Sequence, residues 1–327
     1  MLKFLSLICI CFCLSGAISQ NIYKQKTYLM GSDFEITVVA KTQLEADKQI
    51  AIAIGEISRI EALISSWKTT SETSNINKNA GASPVKVSEE LFSLIQRALQ
   101  ISNLTDGAFD ISYASMDKLW KYDGSMTQMP SKEAIKKSVA KVGYQDIIVD
   151  PKNSTVFLKN KGMKIGFGAI GKGYAADKAK KLLISNGVSG GIINASGDIN
   201  SWGSKPSGSS WQVAITNPLN KNKAFAMLPI KDAVVTSGNY EKYVTFNSRR
   251  YSHIIDPRTG YPSQGIISVT VFAPKAELAD ALATSVFVMG VETGIDRINQ
   301  LKAVECIIIT DTGNIITSNN LTLNTQE

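Results

Sequence analysis

Histidine is all but missing from this chain: His253 is the only one in 327 residues. Proton chemistry near neutral pH that needs a side chain of matching unperturbed pKa is therefore confined to one place. Cysteine is nearly as scarce. Of the four, Cys9, Cys11 and Cys13 fall within the first nineteen residues, and only Cys306 remains, inside the apolar run from Val304 to Ile309. One cysteine excludes a disulfide framework and a cysteine metal site, and in that run it reads as a small buried hydrophobe. Clustered charge is lacking too. The net charge of +7 comes from lysines scattered along the chain, which suits solubility and attraction to anionic ligands and argues against a nucleic-acid groove. Beyond the first nineteen residues no apolar run approaches membrane-spanning length.

Those nineteen residues carry Lys3, then an apolar and small-residue run from Phe4 to Ile18, and close on Ala17-Ile18-Ser19. This is the charged start, short apolar middle and small-residue exit of a secretory signal peptide, so the mature chain is expected to begin at Gln20. None of the three cysteines there follows the small residue that a lipoprotein cysteine needs. Export to the periplasm is expected, with association at the inner membrane surface left open. The remaining stretch, residues 20–327, has the length and the 44% hydrophobic content for one domain around one large core.

Along the chain, Asp33 to Ala40 alternates as a half-buried strand around Phe34, Ile36 and Val38. Thr42 and Glu45 form a capping-box signature before an amphipathic helix with Ile50, Ile54, Ile57 and Ile64 on one face. The polar stretch from Lys68 to Ser83 interrupts the pattern, and Ser88 starts a helix ending near Asp106-Gly107. Lys118 to Pro130 reads as an irregular excursion, Ser131 to Val142 as a polar helix and Asp146 to Lys159 as a hairpin. A helix is expected over Gly171 to Asn186, then strands over 191–194, 211–216, 233–236 and 266–273. Helices over 277–289 and 293–301 and a last strand pair, 303–310 and 315–317, complete the reading. Strands and helices interleave without a strict βαβ rhythm, so the fold class is α+β.

Four segments could carry chemistry. GFGAIGKGYAAD (166–177) ends a strand and enters a helix, a setting in which glycines let backbone approach a phosphate and Lys172 adds a point charge. Its spacing is neither a Walker loop nor a dinucleotide fingerprint, and taken alone such a turn more often serves packing. In ELADALATSVF (277–287), Asp280 and Thr284 are four residues apart and share a helix face, where a carboxylate and a hydroxyl can offer oxygens to a hard cation such as Mg²⁺. The plainer reading is an acid near a helix start. DGAFDIS (106–112) sets Phe109, able to stack on a planar ring, beside Asp110. HIIDPRTGYP (253–262) crowds turn formers around His253 and Asp256. NASGDIN (194–200) and TSGNYEKY (236–243) read as polar turns.

Taken in order, Met30-Gly31-Ser32, the Trp67 to Asn77 region, DGAFDIS, GAIGKGYAAD (168–177), Ser196 to Ile199, TSGNYEKY, HIIDPRTGYP and ADALAT (279–284) resemble the ApbE family, flavin transferases that move FMN from FAD onto a protein threonine or serine. The resemblance implies mixed sheets flanked by helices, related to the T-fold, with a ligand cleft between lobes. It implies FAD contacts from Met30, Trp67, Ala108, Phe109, Asp110, Gly166, Lys172, His253 and Ile254. It also implies Mg²⁺ held by the backbone oxygen of Ala169 and the side chains of Asp280 and Thr284. Lys172 and His253 would act at the diphosphate and the attacking hydroxyl, with Asp256 steadying the imidazole. The partner would be an exported or membrane electron-transfer protein bearing a Ser/Thr-Gly-Ala-Ser/Thr type motif, and no nucleic acid is expected. The chain departs from relatives at Ile165-Gly166-Phe167, where an acidic residue is common, and at Ser196-Gly197-Asp198, where Gly-Gly-Asp is. Hydrolysis of FAD to FMN and AMP, or flavin binding without catalysis, are the rival readings. All of this requires the turn around Lys172, the oxygens of the alanine-rich helix and the lone imidazole to converge on one cleft.

Overall fold

A computed structural model of the chain describes residues 19–217, 220–240, 242–247 and 249–322. The expected leader, residues 1–19, lies outside them apart from Ser19. No helix among the described residues is long and apolar enough to cross a membrane.

The frame is one antiparallel sheet of eight strands, in the spatial order Asn21–Leu29, Ser32–Ala40, Gly191–Ala195, Asp198–Trp202, Ala233–Gly238, Ile266–Ala273, Glu305–Thr310 and Ile315–Thr317. The strand Ser32–Ala40 shows how the sequence makes layers. Phe34, Ile36 and Val38 point at period two into the main core, while Val39 points the other way into a second cluster with Trp211, Val213 and Val234. A strand buried on both faces needs cover on both. The helices Gln43–Ile64, Gly171–Ser185, Ala276–Met289 and Val291–Asn299 cover one face, and the hairpin of Trp211–Asn217 with Asn220–Ile230 covers the other. The mixed helix and sheet architecture expected from the pattern is therefore present.

The helix Gln43–Ile64 buries Ile50, Ile57 and Ile64 as its spacing requires, with Ile54 half-buried against them. Thr42 Oγ1 accepts from Glu45 N at 3.2 Å, but the returning carboxylate takes the N–H of Lys41 rather than that of Thr42. The polar stretch 68–83 holds a short helix, Glu72–Lys78, capped by Ser71. The helix expected over 131–142 ends at Ser138 and continues as a single 3₁₀ turn. Strands that sequence patterning passes over share one trait, a lack of apolar alternation. Asn21–Leu29 is a largely exposed edge strand, Tyr243–Phe246 and Arg249–Ser252 form a hairpin rich in exposed charge, and Asp198–Trp202 turns polar residues inward.

Two smaller units complete the fold. A three-stranded sheet of Val85–Lys86, Ile147–Asp150 and Thr155–Leu158 lies with the helix Glu89–Leu104. A small cluster around Trp120, Ile135 and Val244 gathers the 118–130 excursion against the hairpin 243–252.

Candidate active site

One wall of the cleft is a pair of helices. An ideal Cβ on Gly173 would lie 2.2 Å from the carbonyl oxygen of Ala276, so only glycine permits the helix Gly171–Ser185 to pass this close to the helix Ala276–Met289. Neither helix start has a side-chain cap of its own, and each is capped by the other. Asp280 Oδ2 accepts from the Gly173 N–H at 3.2 Å, while Asp177 accepts from the N–H groups of Ala276 and Glu277 at 3.0 and 2.9 Å. Unpaired donors in a first turn are costly when buried, and a carboxylate there also meets the positive end of the dipole. Asp280 thus lies in the second turn of its own helix and serves the start of another, so the plainer reading of an acid near a helix start holds, with the start belonging to the neighbouring helix. One turn on, Thr284 Oγ1 lies 3.3 Å from Ser237 Oγ.

The glycine-dense turn is accounted for by packing. A Cβ on Gly171 would meet Ile64, on Gly168 the Tyr113 hydroxyl, and on Gly166 the Ala114 methyl. What the close packing delivers is Lys172, whose ammonium is ion-paired with Asp198. Burial and the nearby charge of Asp280 push the Asp198 carboxyl up to about 7 against the pull of Lys172. Burial raises Asp280 as well, against Lys172 and the Gly173 N–H. Two buried carboxylates beside one lysine leave the corner short of positive charge.

The other wall is the turn that follows the strand Arg249–Ser252. It is closed by Asp256 N to Tyr261 O at 2.9 Å, Gly260 N to Asp256 O at 2.8 Å and Ser263 N to Ile254 O at 2.9 Å. The 118–130 excursion buttresses it. Trp120 Nε1 donates to Gly260 O at 3.0 Å, Tyr122 Oη donates to Ser252 O at 2.8 Å, and the Tyr122 ring stands edge-on to His253 with centroids 6.3 Å apart. His253 is exposed, and its Nδ1 lies 3.1 Å from the carbonyl oxygen of Lys242. A carbonyl only accepts, so Nδ1 carries the hydrogen and Nε2 is the basic nitrogen.

Between the walls lies a cleft of about 460 Å³, within the usual range for a small-molecule site. Ala108, Phe109 and Asp110, Ala169 and Lys172, His253 and Ile254, and Asp280 and Thr284 all line it. The required convergence is met. Asp110 is buried, its carboxylate pushed up by that burial, and its oxygens accept from the N–H groups of Ser112 and Tyr144 at 2.7 and 2.8 Å, so it shapes the loop as well as facing the cleft.

Four expected residues do not line the cleft. Asp256 does not steady the imidazole: its two oxygens take the Arg258 side chain at 2.9 Å each, and the Lys242 carbonyl faces the ring instead. Trp67 is 76% exposed with the Lys118 ammonium 4.4 Å from its ring centre. Met30 packs on the core beside Gly171 and gives its N–H to Glu61 at 3.3 Å. Gly166 is buried, bonded to Ile111 O at 2.8 Å. Sequence reasoning in turn passed over Asp198, Tyr113, Ser237 and Tyr240, which do line the cleft. Asp198, Ser237 and Tyr240 sit in segments read as polar turns, and Tyr113 directly follows DGAFDIS. An acid directly after a Ser-Gly turn, inside a strand, was the available signal.

Asp280, Thr284 and the Ala169 carbonyl are all oxygen donors, the set a hard cation takes. Among the described residues no group of three or more His, Cys, Asp or Glu is placed to hold a metal ion.

A model of the ApbE family matches residues 30–308. The FAD:protein FMN transferase of Klebsiella pneumoniae (strain 342) is 32% identical over 301 residues, covering 91% of this chain and 92% of its own. That of Escherichia coli (strain K12) is 34% identical over 265 residues, 79% of this chain and 72% of its own. Among solved structures, the ApbE protein of Thermotoga maritima superposes with a TM-score of 0.82 at 31% identity, over 91% of this chain and 97% of its own. The flavin transferase ApbE from Vibrio cholerae gives a TM-score of 0.81 at 25% identity, over 92% and 98%.

Proposed function

The chain belongs to the ApbE family, and we propose that its cleft transfers FMN from FAD to a serine or threonine hydroxyl of an acceptor protein. The observation that carries this reading is the convergence of Lys172, the Asp280 and Thr284 oxygens and His253 on one cleft. The attacking hydroxyl oxygen forms a bond to the FMN-side phosphorus as the bond to the AMP oxygen breaks, and AMP leaves. Negative charge gathers on the phosphate oxygens, and a fixed cationic group beside them lowers the barrier. Lys172 stands ready for that role at a helix start that itself favours anions. Nε2 of His253 takes the hydroxyl proton, and its exposure suits a nucleophile carried by a protein.

Asp280, Thr284 and the Ala169 carbonyl would hold Mg²⁺. The fit rests on the buried Asp280 carboxylate, raised by burial where positive charge is short. When bound, the ion supplies charge neutralisation at the diphosphate. Export to the periplasm, and an acceptor motif of the Ser/Thr-Gly-Ala-Ser/Thr type on an electron-transfer protein, belong to the same proposal, the first resting on residues 1–19.

Incubation with FAD, Mg²⁺ and an acceptor carrying that motif should add one FMN to the acceptor by mass, with AMP released in equal amount. Asp280→Ala should lose most of the rate at limiting Mg²⁺ and regain part of it as Mg²⁺ rises. FMN and AMP appearing free, with the acceptor unmodified, would replace transfer by hydrolysis. FAD left intact would reduce the protein to a flavin binder.

A further inference from the structure

We infer that Asp198 is the positioning residue of Lys172, holding its ammonium on the cleft side of the helix start so that an incoming diphosphate meets a cation already aimed. The inference rests on the transferase reading. It begins with how firmly Asp198 itself is held. The strands Gly191–Ala195 and Asp198–Trp202 are joined by Ser196 and Gly197, with φ of 54° and 96°, the positive values that a tight hairpin turn needs. Ser196 Oγ donates to Asp33 O at 3.0 Å and Gly197 N to Asn194 Oδ1 at 2.8 Å. Asp198 is therefore the first residue of a strand anchored in the middle of the main sheet.

Side chains alternate along a strand, so Asp198 and Asn200 reach the same helix, Gly171–Ser185. Asn200 accepts from Lys180 at 3.0 Å and donates to Asp177 at 2.6 Å. A neutral amide thus suffices to tie strand to helix. Two residues earlier stands a carboxylate only 2% exposed, and taking an ion pair out of water generally stabilises a fold no better than well-packed neutral groups. The fold alone gives no reason for a charge at 198. Its effect is local: it restrains a flexible four-carbon side chain rich in rotamers, and it does so before substrate arrives. It also separates two duties. The Lys172 ammonium feels Asp280 as well, and a lysine drawn onto Asp280 would occupy the oxygens proposed for the cation. Paired with Asp198, it leaves Asp280 to the Gly173 N–H and the metal.

The test is a double-mutant cycle on single-turnover transfer at saturating FAD and Mg²⁺, with FAD affinity from flavin fluorescence. Asp198→Asn should slow transfer on the order of 100-fold, the cost of a misplaced catalytic group, and change FAD affinity by less than about threefold. Asp198→Glu should restore part of the rate. Combined with Lys172→Met, Asp198→Asn should cost nothing more, because its effect runs through the lysine. A wild-type rate in Asp198→Asn, or an equal slowing with and without Lys172, overturns the inference. NMR of ¹³C-methylated lysines supplies a readout independent of activity. Lys172 should give an immobilised signal in the wild-type protein that becomes mobile in Asp198→Asn, and a mobile signal in the wild type overturns the inference whether or not the variant folds. Absence of transfer by the wild type would end the transferase reading, while the NMR arm still decides whether Asp198 holds Lys172.

Discussion

The helix wall and the turn wall of the cleft are built by opposite means. Lys172, Asp280 and Thr284 stand on two helices of the main core that meet at Gly173 and cap each other's first turns. His253 is exposed on a turn whose next residue, Ile254, is buried in the main core, and its ring meets the Lys242 carbonyl and the edge of Tyr122 beside the small cluster around Trp120 and Tyr251. Groups that meet developing charge gain most when fixed in dry, low-dielectric surroundings. A group that takes a proton from a second, macromolecular substrate must be reachable. The division predicts that damage to the turn wall costs chemistry and spares the fold, whereas damage to the helix wall costs both.

The largest effect should come from the turn wall. His253→Ala removes a general base, a group that typically contributes 10²–10⁴-fold, so transfer should fall by about that factor with FAD affinity and melting temperature unmoved. Wild-type transfer would remove His253 from the mechanism, and a large drop in melting temperature would break the comparison from the other side. Gly173→Ala is the matching probe of the helix wall. Its Cβ would press on backbone atoms of Ala276 that have no flexible end to yield. Overpacking of this kind costs about 3 kcal/mol, read as a melting temperature several degrees lower, and the displaced Lys172 and Asp280 should slow transfer as well. A protein that melts and transfers like the wild type would show that the helices tolerate separation and that the cleft does not depend on their contact.

The two walls also differed in how readable they were. The helix wall follows from spacing: Asp280 and Thr284 fall four apart on an alanine-rich helix, and glycines with a lysine open its partner. Spacing could not say that Asp280 reaches across to cap another helix, because capping between helices is a tertiary fact. The lone histidine was conspicuous, yet its orienting partner was misassigned. Asp256 is three residues away and chemically apt, but the turn hands it to Arg258, and the group that faces the imidazole is a carbonyl, which no sequence advertises. Asp198 was hidden for a related reason. The strand Asp198–Trp202 buries Asp198, Asn200 and Ser201, so the alternation that marks a strand is absent where the cleft replaces apolar packing with ion pairs.

A smaller effect separates the cleft face of the helix wall from everything else. The Asp198 carboxyl stands at about 7 in the folded protein, against roughly 3.9 in an unfolded chain. A raised folded pKa means that the native state binds the extra proton, so the stability it contributes is fully present below about pH 4 and is lost as pH rises through about 7. In metal-free buffer the folded protein should therefore become more stable on going from pH 7 to 5, because burial and the charge of Asp280 raise the Asp198 carboxyl and the native state binds the proton more readily than the unfolded chain. Asp198→Asn should lack that share of the slope while keeping the part contributed by Asp280, whose carboxyl is also raised. His253→Ala should retain the Asp198 share in full, since the imidazole is exposed and lies on the other wall. Identical slopes in Asp198→Asn and the wild type, measured by denaturant unfolding across this range, would remove the buried charge deficit from the argument. Added Mg²⁺ should flatten the wild-type slope, because a cation held by Asp280 and Thr284 favours the ionised carboxylates and so lowers their proton affinity.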